Sequence, residues 1–200
     1  MHLLSTDYLP QRQACLTKRL HFTLIAIFIL LQGCSSMTGP FSENLGKRTL
    51  GTKWDDQMVE SRGKANIKSV SPELDKAHIG IVSFNGVVLL VGQVPSQNAK
   101  EAAAEAVEGL RKVKIIHNEL EVAGPISFMA RTNDSWLTTK VKTALLTNSD
   151  SEGRRIKVVT ENGVVYMMGL LTRNEADNAV KRARDVFGVK KIVKVFEYIN

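Results

Sequence analysis

One stretch of this chain occurs twice, and that repetition restricts the fold more than any other feature. Asn85-Gly86-Val87-Val88-Leu89-Leu90-Val91-Gly92 returns 77 positions later as Asn162-Gly163-Val164-Val165-Tyr166-Met167-Met168-Gly169. Self-similarity at a fixed spacing means one supersecondary unit built twice. Asn-Gly supplies the positive φ angles that a tight hairpin turn requires. Before each turn, β-type residues alternate: Ile79, Ile81 and Ser83 in the first copy, Ile156, Val158 and Thr160 in the second. Each copy therefore predicts a hairpin.

The apolar period then changes to that of a helix. Ala99, Ala102, Ala103, Ala106, Val107 and Leu110 fall on one helical face. In the second copy Ala176, Ala179, Val180, Ala183 and Phe187 are assigned the same spacing, with Arg184 in place of Val107. Thr172 and Glu175 have the spacing of a capping box. A third strand follows in each copy, Val113 to Val122 and Val189 to Ile199. Each hairpin is also preceded by a helical stripe. Leu137, Val141, Ala144 and Leu145 form the second; Val59, Gly63, Asn66 and Ile67 form a weaker first, since Gly63 lowers helix propensity by about 1 kcal/mol. The fold class is α+β: two tandem helix-strand-strand-helix-strand units, over 54–122 and 132–200, joined by a linker at 123–131.

The N-terminus follows a different logic. Arg12, Lys18 and Arg19 precede the apolar run Phe22 to Leu31, which is the size of a signal-peptide core and short for a bilayer span. Leu24 to Leu31 has no polar face, which argues against a core helix. The stretch before Lys18 is long for such a leader, which allows a start downstream of Met1. The run ends in Leu31-Gln32-Gly33-Cys34, which resembles a bacterial lipobox. The expectation is a signal peptide at 1–33, a lipidated Cys34, and a flexible Ser-, Gly- and Asn-containing tether at 34–53. Cys15 leaves with the leader, so the processed chain carries no free thiol and no disulfide. A Cys15–Cys34 bridge is the competing reading; it would tie together two parts of one leader.

Two such units behind a lipobox resemble the dual BON-domain lipoproteins of the Gram-negative outer membrane, the DolP type. The resemblance spans nearly all of 34–200. It rests most on Asp134-Ser135-Trp136-Leu137-Thr138-Thr139-Lys140-Val141, Thr160-Glu161-Asn162-Gly163 and Gly188-Val189-Lys190.

No catalytic set stands out. After removal of the leader, His78 and His117 remain, at unlike places in the first unit and without counterparts in the second. They are expected at the surface or rim, because nucleophile sets and metal clusters need convergent ligands. The expectation is a protein without enzymatic activity, cofactor or metal.

The charge is more informative. The chain carries 27 Lys+Arg against 20 Asp+Glu, a net of +7. Residues 54–122 hold 8 Lys+Arg and 10 Asp+Glu; residues 131–200 hold 13 and 8. The basic excess therefore belongs chiefly to the second unit. A basic surface suits nucleic acid or anionic lipid. Export to the envelope argues against nucleic acid. Trp136, Lys140 and Thr143 share a flank beside the core stripe, and tryptophan favours the membrane interface. Trp136 at the core edge or between the units is the other reading. The resemblance implies anionic phospholipid, such as phosphatidylglycerol, bound through the second unit's first helix, with Trp136, Leu137 and Lys140 at its start. It further implies anchoring on the periplasmic face of the outer membrane and a role in outer-membrane integrity and division-site function. The alternative is an adaptor for an envelope-protein partner in outer-membrane assembly or cell-wall machinery.

Overall fold

The computed structural model describes residues 47–147 and 151–199. The expected signal peptide, Cys34 and the tether as far as residue 46 lie outside the described residues.

The first unit runs α1 (Leu50–Val70), α2 (Pro72–Lys76), β1 (His78–Phe84), β2 (Val87–Val94), α3 (Gln97–Glu108) and β3 (Ile115–Val122). The second runs α4 (Phe128–Leu146), a 3-10 turn (Ser151–Arg155), β4 (Lys157–Glu161), β5 (Val164–Leu171), α5 (Arg173–Arg184) and β6 (Lys191–Tyr198). The helix-strand-strand-helix-strand order is as expected. Two boundaries are corrected. The tether was expected to stay irregular through Lys53, yet α1 begins at Leu50; the linker was expected to run to residue 131, yet Phe128–Arg131 form the first turn of α4. The reason is capping. Thr49 accepts from the Thr52 amide and Ser127 from the Ala130 amide, satisfying donors that a helix start otherwise leaves open.

In each sheet the middle strand is the second of the hairpin. β2 lies antiparallel to β1 and parallel to β3; β5 repeats this between β4 and β6. Both turn pairs take positive φ, 55° and 83° at Asn85-Gly86 and 51° and 78° at Asn162-Gly163, the type I′ geometry that matches strand twist.

The unbroken apolar run of β2 follows from its double burial. Val88, Leu90 and Val94 pack on Val59 and Ile67 of α1 and Ala99, Ala103 and Val107 of α3. Phe84, Val87, Leu89 and Val91 face Tyr166, Met168 and Val195 of the other sheet. The result is four layers, helices-sheet-sheet-helices. Gly63 is no weakness in this arrangement. A Cβ there would stand 3.3 Å from Ile81 Cδ1 and 3.5 Å from Val107 Cγ2, so the missing side chain lets α1 sit close on the sheet.

The two sheets run head to tail. Asn85 Nδ2, at the first hairpin turn, donates to Glu197 near the end of β6 at 2.7 Å. Gln93 Nε2, at the far end of β2, donates to Glu161 beside the second turn at 2.8 Å. Lys157 Nζ, at the start of β4, donates to Glu60 of α1 at 2.6 Å. The two hairpin turns therefore lie at opposite ends of the sandwich.

The second helical stripe also needs correction. β2 and β5 end at Val94 and Leu171, 77 apart, but the caps of α3 and α5 are Ser96 and Thr172, 76 apart. Pro95 is the additional residue. From there Val107 corresponds to Ala183 and Leu110 to Val186. The Leu110 and Val186 carbonyls accept from Val113 and Val189 at 3.2 and 3.3 Å. Ala183 and Val186 join the core, while Phe187, expected there, corresponds to Arg111 and is 91 % exposed.

Candidate functional site

Each first helix is fixed to its hairpin turn by a buried carboxylate. Asp134 Oδ2 accepts from the Asn162 amide and Oδ1 from the Gly163 amide, both at 2.8 Å. Asp56 does the same for Asn85 and Gly86, at 2.9 and 3.1 Å, and also accepts from Ser83 Oγ at 2.7 Å and Arg48 Nη1 at 2.6 Å. Consecutive turn amides form a concavity that suits an anion. Burial alone would raise the Asp56 carboxyl. The Asn85 amide, the Ser83 hydroxyl, the Gly86 amide and Arg48 outweigh it and hold Asp56 below the usual carboxylate range. Sequence reasoning missed this pin, although an Asp stands 28 or 29 residues before each Asn-Gly.

The pin sets which flank of α4 points outward. Asp134, Leu137, Val141 and Leu145 are buried. Trp136 is left 60 % exposed, outside the cluster between the sheets. Lys140 Nζ lies 5.5 Å from its ring centroid, within cation–π range. Thr143 is exposed on the same flank, its hydroxyl donating to the Thr139 carbonyl at 2.9 Å. Leu137 departs from the expected set. It is 2 % exposed and belongs to the core with Val141 and Val165, so its side chain supports the site from beneath instead of meeting a ligand.

Three exposed apolar side chains join this end of the molecule. Met129 lies seven residues before Trp136, on the same helix face, next to exposed Phe128. Phe187 lies in the turn after α5. A Cβ on its neighbour Gly188 would stand 3.5 Å from Leu137 Cδ1. Phe187 and Trp136 therefore flank the Leu137–Gly188 contact from two elements. The sequence signal for Phe187 was the single-residue shift at Pro95.

His78 Nε2 is 3.8 Å from Glu161, and half-buried His117 lies on β3 opposite Leu89 of β2. Among the described residues, no three His, Cys, Asp or Glu side chains are grouped to hold a metal, and no helix is long and apolar enough to cross a membrane.

The BON domain model matches residues 55–124 and 133–200. The chain is 37 % identical over 162 residues to a 21 kDa hemolysin of Actinobacillus pleuropneumoniae, covering 81 % of this chain and 84 % of that one. It is 35 % identical over 182 residues to outer membrane lipoprotein DolP of Haemophilus influenzae, covering 88 % and 94 %. Osmotically-inducible protein Y of Escherichia coli is 30 % identical over 152 residues, 72 % of each chain. With the repeated pin, the repeated mixed sheet and these matches in agreement, the chain belongs to the BON-domain family, in its tandem form.

Proposed function

We propose that this protein is a non-enzymatic lipoprotein of the outer membrane, held by acyl chains on Cys34, whose second domain binds anionic phospholipid. The likeness to DolP supports the location. The observation that carries the lipid contact is Trp136, exposed on the outward flank of α4 with Lys140 over its ring. A tryptophan ring is apolar with one N–H donor, which suits the level of lipid headgroups. Lys140 supplies attraction to phosphate, and each basic group near an anionic surface is worth about 1 kcal/mol. Thr143 extends the polar side, and Phe187 adds apolar area beside the tryptophan. Attachment through Cys34 together with this contact would combine two weak membrane signals into firm binding. On this reading the protein acts at the periplasmic face in outer-membrane integrity and division-site function.

Vesicle binding tests the proposal. The unlipidated chain is expected to bind phosphatidylglycerol vesicles and not phosphatidylcholine vesicles. Trp136→Glu is expected to abolish binding, and Phe187→Ser to weaken it several-fold. Equal binding to both vesicle types, or full binding by Trp136→Glu, would overturn the lipid contact.

A further inference from the structure

The first domain carries a cleft at the place where the second carries Trp136 and Phe187. Trp54, Asp55, Met58, Val59 and Arg62 of α1 form one wall; Leu110, Arg111 and Lys112, after α3, form the other. It encloses about 300 Å³. Met58 stands two residues after Asp56 as Trp136 stands two after Asp134, and Arg111 corresponds to Phe187, so the two sites share one framework. Their chemistry differs. The first has three cations and an exposed tryptophan, Trp54 at 71 %. Lys112 Nζ is 3.4 Å from Asp55. Arg62 and Arg111 are exposed, and among the described residues neither has a carboxylate within ion-pair distance. Guanidinium groups favour bidentate pairing with carboxylates.

Position decides between a lipid and a protein occupant. α1 and α4 belong to opposite outer layers, and the hairpin turns beside the two sites lie at opposite ends of the sandwich. Strands of eight residues separate those ends by about 25 Å. A flat bilayer touching Trp136 cannot also reach Trp54. We propose that the first-domain cleft is a docking site for an acidic peptide segment of another protein. Carboxylates would pair with Arg62 and Arg111, and an apolar side chain would rest against Trp54 and Met58. The choice of a peptide over a lipid rests on the membrane contact proposed for the second domain; the cleft and its open cations do not.

The test uses the full chain and a fluorescein-labelled oligo-glutamate peptide with one central leucine, followed by fluorescence anisotropy. The matching oligo-lysine peptide is the control. The acidic peptide is expected to bind, more weakly as salt rises. Arg62→Glu/Arg111→Glu is expected to lower its affinity at least about tenfold, while leaving phosphatidylglycerol vesicle binding intact. Both arginines are exposed, so the fold does not depend on them. Trp136→Glu is expected to do the reverse. Unchanged peptide affinity in the double variant would overturn the proposal. So would loss of vesicle binding in that variant, which would make the cleft a lipid surface. Retained vesicle binding in Trp136→Glu, with the peptide result as expected, would overturn the second-domain reading alone.

Discussion

Gly92 and Gly169 occupy the same place in the repeated stretch. Gly92 has φ 122°, and a Cβ there would lie 1.9 Å from the His78 carbonyl oxygen; Gly169 does not take a positive φ, and its nearest contact would be the Arg155 oxygen at 3.2 Å. Gly92→Ala is therefore expected to destabilise by about 1–3 kcal/mol or more, and Gly169→Ala by clearly less. Chemical denaturation of the two variants checks the order. Asp56 gives a pH signature. Its carboxyl is held lower in the folded chain than in the unfolded one, so its stabilisation is complete above the ordinary Asp value near 4. That contribution fades as pH falls through the lower folded value. Melting temperatures measured between neutral and acid pH are expected to fall less steeply in Asp56→Asn than in the parent, from a lower starting point. Asp134 shows that the turn pin was half legible: its spacing to Asn162 was visible, but that the carboxylate folds back onto two amides required the backbone to be placed.

At the scale of elements, ends carry more information than stripes. α5 starts with a complete capping box: the Thr172 hydroxyl accepts from the Glu175 amide, and the Glu175 carboxylate accepts from the Thr172 amide. Glu175 also holds Arg155 from the turn before β4. Burial opposes its charge, but the Thr172 amide and Arg155 prevail and keep the carboxyl below its usual range. Thr172→Ala is expected to cost about 1 kcal/mol. Glu175→Ala is expected to cost more, because it leaves the Arg155 side chain, largely buried, without this partner. Equal losses by urea denaturation would show that Arg155 adds nothing to the cap. The box could be read from Thr172 and Glu175 alone. The register of the helix that follows could not, because Pro95 displaces it by one residue and so moves Phe187 from the expected core to the surface.

For the molecule as a whole, the contact between the sheets is decisive. Leu89, Val91, Tyr166 and Met168 are buried there with Phe84 and Val195. Burial, with Glu119, Glu121 and Glu161 nearby, pushes the Tyr166 phenol up to about 12. Each unit thus lends the other a face that water would otherwise cover, and the two are expected to unfold together. Leu89→Ala, which empties a fully buried position, is expected to cost about 2–5 kcal/mol. Calorimetry should still show one transition; separate transitions for the two domains would mean that the sheets support themselves independently.

The sequence by itself determined the repeated unit, its strand and helix order, the Asn-Gly turns and the basic character of the second domain, because periodicity, turn chemistry and charge are local properties. That both faces of β2 are buried was seen only once the strands were placed. Only the tertiary structure decided that the second face meets the other sheet and that the two units run head to tail. It also decided that Leu137 lies inside while Trp136 and Phe187 lie outside. Those outcomes depend on which surfaces meet across large sequence separations. Burial there is shared between two segments, and neither segment carries the answer alone.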